Sequence, residues 1–174
     1  MTIRKILTEP DPFLRQKSIK VEEVNDEVRS LMDDMVATMY HAPGIGLAAI
    51  QIGVPKRVIV IDLSRDDEKK NPLYFINPEI IKNSDNGATY EEGCLSVPGQ
   101  FAEINRPDKC SVKYIDYNGN IQILNAEGLL ATCIQHEIDH LEGILFIDYL
   151  SKLKKNMIVK KLSKQKKSLE RIVV

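Results

Sequence analysis

His136 and His140 stand four residues apart in the run QHEIDHL, with Glu137 directly after the first. Four residues is slightly more than one helical turn, so on a helix both imidazoles leave the same face and can reach one ion. Glu137 cannot easily share that ion, but its carboxylate can reach a water attached to it. Such a pair needs a third protein ligand and an open position before it can polarise a carbonyl or activate water. The five-residue pattern also arises by chance on polar helix surfaces. Two observations weigh against chance: the chain has only three histidines, and the residues before the pair, Leu129 to Ile134, are strongly apolar and set it near a core.

The identity of the third ligand decides the chemistry. A third histidine continuing the pattern would fall at position 146, which is Phe146. Of the downstream carboxylates, Asp148 and Glu170, the latter lies among lysines that would compete for it. His41 sits at an expected helix end and reads as ordinary loop or surface. Cys110, in an expected strand, and Cys133, on the histidine helix itself, read as packed, inert core thiols. Cys94 differs by its setting, EEGCLSVPG. Gly93 on one side and Pro98-Gly99 on the other predict a tight, exposed segment that presents the thiol. A metal would ionise that thiol and take it as a soft ligand, whereas Glu91 and Glu92 disfavour a free thiolate nucleophile. Cys94 is therefore the expected third ligand.

A further segment reads GIGLAAIQIG from Gly44 to Gly53. It lacks the lysine and the glycine spacing of a phosphate-binding loop. Gly44 and Gly46 would permit close backbone approach to an extended ligand, and Ala48-Ala49 would allow tight packing beneath it. Gln51, polar amid apolar neighbours, needs a hydrogen-bond partner if buried, either local backbone or a substrate carbonyl.

The elements that must position these residues follow from patterning. Asn25 can cap a helix with Asp26 and Glu27 in its first turn and Val28, Leu31, Met32, Met35 and Met39 on its apolar face, stopping near Pro43-Gly44. Arg57 to Leu63 is dense in β-branched residues and predicts a strand, with shorter candidates at 73–76 and 79–82. Residues 110–116 and 121–124 flank an Asn-Gly turn at 118–119, a hairpin signal. Asn125 can cap a helix over about 126–142, burying Leu129, Leu130, Cys133, Ile134 and Leu141 and closed by Gly143. A third helix from Leu150 would bury Leu150, Leu153, Met157 and Ile158. Strands and helices are segregated, so the expected class is α+β: antiparallel or mixed strands around a central helix carrying HEIDH, with an N-terminal and a C-terminal helix.

The 174 residues suit one domain, and 43% hydrophobic with 28% charged residues is a globular composition. Three widely spaced cysteines, Cys94, Cys110 and Cys133, do not form a disulfide framework, and no apolar run spans a membrane, so the expected compartment is the cytoplasm. The net charge of −1 hides an asymmetry: residues 151–174 hold nine Lys or Arg against one Glu, leaving the body at −9. An acidic body argues against direct DNA binding, and a basic tail allows an anionic partner.

Together, GIGLAAIQ at 44–51, EGCLS at 92–96 and QHEIDHL at 135–141 resemble the three signatures of the peptide deformylase family, in that family's order. The resemblance covers nearly all of 1–174 as a single catalytic domain, with 151–174 as the basic C-terminal helix typical of bacterial members. It implies removal of the formyl group from the N-terminal formyl-methionine of nascent polypeptides, with release of formate. Cys94, His136 and His140 would hold one Fe²⁺ per chain, replaceable by Zn²⁺, Ni²⁺ or Co²⁺. Metal-bound water would attack, Glu137 would serve as base and then acid, and Gln51 and the Leu95 N–H would stabilise the oxyanion. The peptide would lie beside Gly44 to Gly46, with its methionine near Ile45 and Cys133 and its exit near Arg106. The basic helix would dock on the ribosome; its plain alternative is a solvated helix face. Two other functions compete: a general metallopeptidase, favoured by the HEIDH segment alone, and a non-catalytic ribosome-associated metal-binding module, disfavoured by the intact Glu137.

Overall fold

The computed structural model describes residues 1–172. Helix α1 (Asp26–His41) precedes strands β1 (Gly46–Ala48), β2 (Val58–Ile61), β3 (Leu73–Asn83), β4 (Gly87–Cys94), β5 (Val97–Pro107), β6 (Lys109–Ile115) and β7 (Ile121–Glu127), then helices α2 (Gly128–Leu141) and α3 (Lys152–Ile172). One antiparallel sheet runs in the order β1-β2-β3-β6-β7, and β4 and β5 pair separately, also antiparallel.

Strand β2 explains the layering. All four of its residues are fully buried. Because successive side chains point to opposite faces, Val58 and Val60 pack with Met32, Met35 and Met39 of α1, while Ile59 and Ile61 pack with Ile134 and Leu141 of α2. Each face of the sheet thus receives one amphipathic helix, and α2 lies at the centre of an α+β fold, as expected. Helix α1 begins where the sequence indicates: the Asn25 side chain accepts a hydrogen bond from the Val28 N–H at 3.0 Å. The Asn-Gly hairpin also forms, with Ile115 opposite Ile121 and Gly119 at a φ of 89°.

Several boundaries differ from the sequence reading, each for a tertiary reason. Asn125 does not cap α2. It pairs with Ser111 as part of β7, which runs on to Glu127, and the helix starts at Gly128, whose φ of 62° turns the chain out of the sheet. Leu129 then points outward and is 42% exposed instead of buried. The two short candidates at 73–76 and 79–82 are one strand, β3, interrupted by a bulge at Asn77-Pro78. There Asn77 turns its side chain onto the Val21 backbone, accepting from its N–H and donating to its C=O, both at 2.8 Å. In α3 the buried face is Ile158, Val159 and Leu162, packed with Val97, Ile104, Phe146 and Ile147. Leu153 and Met157, expected inside, are 72% and 63% exposed. No helix among the described residues is long and apolar enough to cross a membrane.

Candidate metal centre

Helix α2 carries His136 and His140 one turn apart, with ring centroids separated by 5.1 Å. The hairpin of β4 and β5 brings the third group. Cys94 pairs with Val97, so Leu95-Ser96 is a two-residue turn and Cys94 is the last strand residue before it. Pro98-Gly99 was expected to make this turn; it lies instead in a bulge of β5, with Gly99 at a φ of 72°, because Gly93 pairs with Phe101 while Cys94 pairs with Val97. The outcome is the expected convergence: one donor atom each from Cys94, His136 and His140 lie within 4.8 Å of one another. Cys94 Sγ is 3.2 Å from His140 Nε2.

These residues fit a metal ion. A thiolate and two imidazoles are the donor set of catalytic zinc and related divalent sites, which leave a coordination position open. Glu137 Oε2 is buried beside them with no hydrogen-bond partner among the described residues, a costly state unless a reacting molecule or water supplies one. Burial pushes the Glu137 carboxyl up to about 7. Burial also drives His140 well below the ordinary histidine value, which favours the neutral, ligating form. For His136 burial acts in the same direction, but hydrogen bonds to Cys94 and Glu92 outweigh it and raise the ring's affinity for a proton.

Gln51 is 2% exposed. Its carbonyl accepts from the Ala48 N–H at 2.8 Å, and its amide donates to Ser96 Oγ at 3.0 Å and approaches Cys94 Sγ at 3.5 Å. The local-backbone alternative thus holds for the carbonyl end, while the amide end faces Ser96 and Cys94. Leu95 lines the cleft above it, together with Gly44, Ile45, Gly46, Cys133, His136 and Glu137.

Residues 3–156 match the family model described as polypeptide deformylase. A peptide deformylase of Pelagibacter ubique is 68% identical over 174 residues, covering all of both chains, and one of Phenylobacterium zucineum is 60% identical over 168 residues, 97% of this chain and 99% of the relative. The crystal structure of a peptide deformylase from Ehrlichia chaffeensis superposes with a TM-score of 0.91 at 43% identity, covering 96% of this chain and 98% of that one. One from Legionella pneumophila gives 0.89 at 45% identity, with 98% and 99% covered. The chain belongs to the polypeptide deformylase family.

The deformylase cleft has a volume of roughly 460 Å³. Its walls are the segment 43–46, which leads into edge strand β1, and the hairpin segment 90–101, with Leu129, Thr132 and Cys133 of α2 below. The two glycines also have a purpose that the sequence reading did not name. A Cβ at Gly44 would meet the Leu95 side chain, and one at Gly46 would collide with the Glu137 carboxylate. Their missing side chains make room for protein groups that close on the centre. Cys133 is a buried thiol, as expected, yet it lines the cleft; burial pushes its pKa up to about 12.

Arg106 requires a correction. Expected at the peptide's exit, it is 4% exposed and lies behind the centre. Its guanidinium grips both oxygens of Glu92, at 2.6 and 3.1 Å, and reaches Asp139 at 2.8 Å, while its plane stands 4.9 Å over the Tyr149 ring. Glu92 in turn accepts a hydrogen bond from His136 Nδ1 at 2.8 Å, the tautomer that leaves Nε2 as the ring's ligating nitrogen. Burial alone would raise the Glu92 carboxyl; hydrogen bonds from His136 and Arg106 outweigh it and hold Glu92 ionised. Sequence reading gave Glu92 only the role of opposing a thiolate, and it missed Ser96, Asp139 and Tyr149. The available signal was period two: Glu92 and Cys94 share one face of a strand.

Proposed function

We propose that this deformylase removes the formyl group from the N-terminal formyl-methionine of nascent polypeptides. The observation that carries the reading is the unpartnered, buried Glu137 Oε2 beside the Cys94, His136 and His140 cluster, at the inner end of an open cleft. A divalent ion held by those three residues would act as a Lewis acid and lower the pKa of water. Fe²⁺ is the proposed ion, with Zn²⁺, Ni²⁺ or Co²⁺ as substitutes, since this donor set suits all four.

Glu137 Oε2 takes the proton from the attacking water and then delivers it to the amine nitrogen as the formyl C–N bond breaks, so that formate and a free amino terminus leave. A pKa pushed up to about 7 suits a group that must accept and donate at neutral pH. As the formyl carbon becomes tetrahedral, its oxygen gains charge; the Gln51 amide and the Leu95 N–H are the donors proposed to meet it. The methionine side chain enters the apolar part of the cleft at Ile45 and Cys133, and the peptide extends along residues 44–46. Glu137→Ala should keep its metal, measured by elemental analysis, and lose formate release from formyl-Met-Ala by about 10²–10⁴-fold. Unchanged turnover would refute the assigned role, and cleavage of an internally blocked peptide in preference to formyl-Met-Ala would favour a general metallopeptidase.

The cytoplasm, where nascent chains emerge, is the compartment this reading requires. We also propose that α3 docks on the ribosome through Lys160, Lys161, Lys164, Lys166 and Lys167, which all face solvent. The support is charge: nine basic residues against one acid in 151–174. Because Leu162 is buried under this helix, removing the helix would disturb packing as well. Reversing the exposed lysines to Glu is the cleaner test, and co-sedimentation with ribosomes should fall while hydrolysis of short peptides persists.

A further inference from the structure

Two backbone hydrogen bonds from the N-terminal segment reach the elements that carry both proposed oxyanion donors. The Leu7 N–H donates to the Gln51 main-chain carbonyl at 2.7 Å, and the Glu9 N–H donates to the Ser96 main-chain carbonyl at 2.8 Å. Gln51 lies in the 3-10 turn Ala49–Ile52, and Ser96 in the hairpin turn beside Leu95. Leu7 and Glu9 are two residues apart, the spacing at which an extended chain turns its N–H groups to one side. The Thr8 N–H between them has no partner among the described residues. Segment 7–9 therefore spans from one donor-bearing element to the other. It is itself held in place. Glu9 is 7% exposed, and its carboxylate pairs with Arg15 at 3.2 Å. Arg15 in turn donates to Asp148 at 2.5 Å and to the carbonyl of Gly143, just beyond the histidine helix, at 3.4 Å. A carboxylate taken out of water is costly unless it is paired, and a mere surface strap would need no buried charge.

Donors aimed at a developing negative charge work only while they hold their places, because preorganisation is what makes them effective. Gln51 and Leu95 belong to different elements, so something must fix the distance between them. We propose that Leu7 and Glu9 are positioning residues, whose backbone N–H groups brace the Gln51 turn against the Leu95-Ser96 turn so that both donors meet the same oxygen, with Arg15 anchoring the brace through Glu9. The inference rests on the oxyanion roles assigned above to Gln51 and the Leu95 N–H, and adds the segment that sets their separation. The brace does not line the cleft and contributes no metal ligand. Its loss should therefore act on the transition state, lowering kcat and kcat/KM together.

The test replaces single backbone N–H groups by ester oxygens, with every side chain kept, at Leu7, Thr8 and Glu9, using the corresponding α-hydroxy acids. Glu9→Ala, Glu9→Gln and Gln51→Ala are made in parallel, and kcat, KM for formyl-Met-Ala and metal per chain are measured on the metal-loaded proteins. The esters at Leu7 and Glu9 should each lower kcat about 10–100-fold, the scale of a small misplacement. KM and metal content should stay within about twofold of the parent, and the Thr8 ester should match the parent throughout. Glu9→Ala should show the same loss of kcat, and Glu9→Gln, which can still accept from Arg15, should recover most of it. Esters at Leu7 and Glu9 that behave like the Thr8 ester, or that act only through KM or loss of metal, overturn the proposal while deformylation stands. So does a Glu9→Gln variant as slow as Glu9→Ala. Unchanged turnover in Gln51→Ala removes the oxyanion assignment beneath the inference, and a parent that releases no formate removes the deformylase reading itself.

Discussion

The centre is assembled from two regions held together by different forces. The half formed by the five-stranded sheet with α1 and α2 supplies His136, His140, Glu137 and Gln51, and rests on buried Met, Val and Ile side chains such as Met32, Met35, Val58 and Ile59. The hairpin half, β4 with β5, supplies Cys94 and the Leu95 turn. It is tied to the first half by the Arg106–Glu92–His136 chain, the Arg106–Asp139 pair and the Gln51–Ser96 hydrogen bond. Apolar burial is non-directional and sets where a helix lies, whereas a bidentate guanidinium–carboxylate pair fixes orientation. The frame is therefore built by the hydrophobic effect, and the ligand geometry by charge.

Substitutions in the two halves should separate these forces. Arg106→Met leaves Glu92 and Asp139 without their buried partner and should cost about 3–5 kcal/mol in urea unfolding, while loosening His136 and weakening metal affinity about 10–100-fold. Met35→Ala, at a fully buried position on the far side of the sheet, should cost about 2–5 kcal/mol with metal affinity unchanged. Equal loss of metal affinity in both would erase the distinction.

Gly46→Ala probes a contact within the first half, where β1 meets α2. The new methyl would displace the Glu137 carboxylate, and a misplacement of about 1 Å typically costs about 100-fold in rate. Turnover should fall by that order while the metal content of the purified protein stays as in the parent.

How much of this was legible in the sequence depends on the same division. Asn25 with its apolar stripe, the β-branched run in β2, the Asn-Gly hairpin and the HEIDH spacing are local signals, and each maps onto an observed element. Cys94 was legible as a presented residue, but from Pro98-Gly99, which form a bulge; the turn is Leu95-Ser96. Strand β4 has Gly or Glu at four of its eight positions, against only Thr89 and Tyr90 as strand formers, and pairs with β5 along its whole length. Arg106 could not be placed because a buried arginine and an exposed one look alike until Glu92 and Asp139 are brought together by the fold. The inner face of α3 was misread for a similar reason: Leu153 and Ile158 both fit a helical stripe, and only the position of Phe146 and Ile147 decides which one is covered.

The smallest predicted effect comes from two carboxylates that take no part in the centre. Asp62 is buried, and hydrogen bonds from Ser64 and Tyr40 outweigh the burial that would raise it, so its carboxyl lies below the ordinary value. Asp148 is lowered in the same way by Lys155 and Arg15. A carboxylate whose folded pKa is depressed stabilises the protein above its unfolded value, near 4, and loses that contribution as pH falls through the lower folded value. The thermal midpoint should therefore drop progressively below about pH 4, and Asp62→Asn should make that drop shallower. A midpoint in the variant that falls as steeply as in the parent would remove Asp62 from the account.

The most direct test of the central claim is X-ray absorption at the metal edge of the zinc-loaded protein. The bound zinc should show one sulfur near 2.3 Å and two imidazole nitrogens near 2.0–2.1 Å, with the sulfur contribution lost in Cys94→Ser. A first shell of nitrogen and oxygen alone in the parent, or a sulfur signal that persists in Cys94→Ser, would contradict that claim.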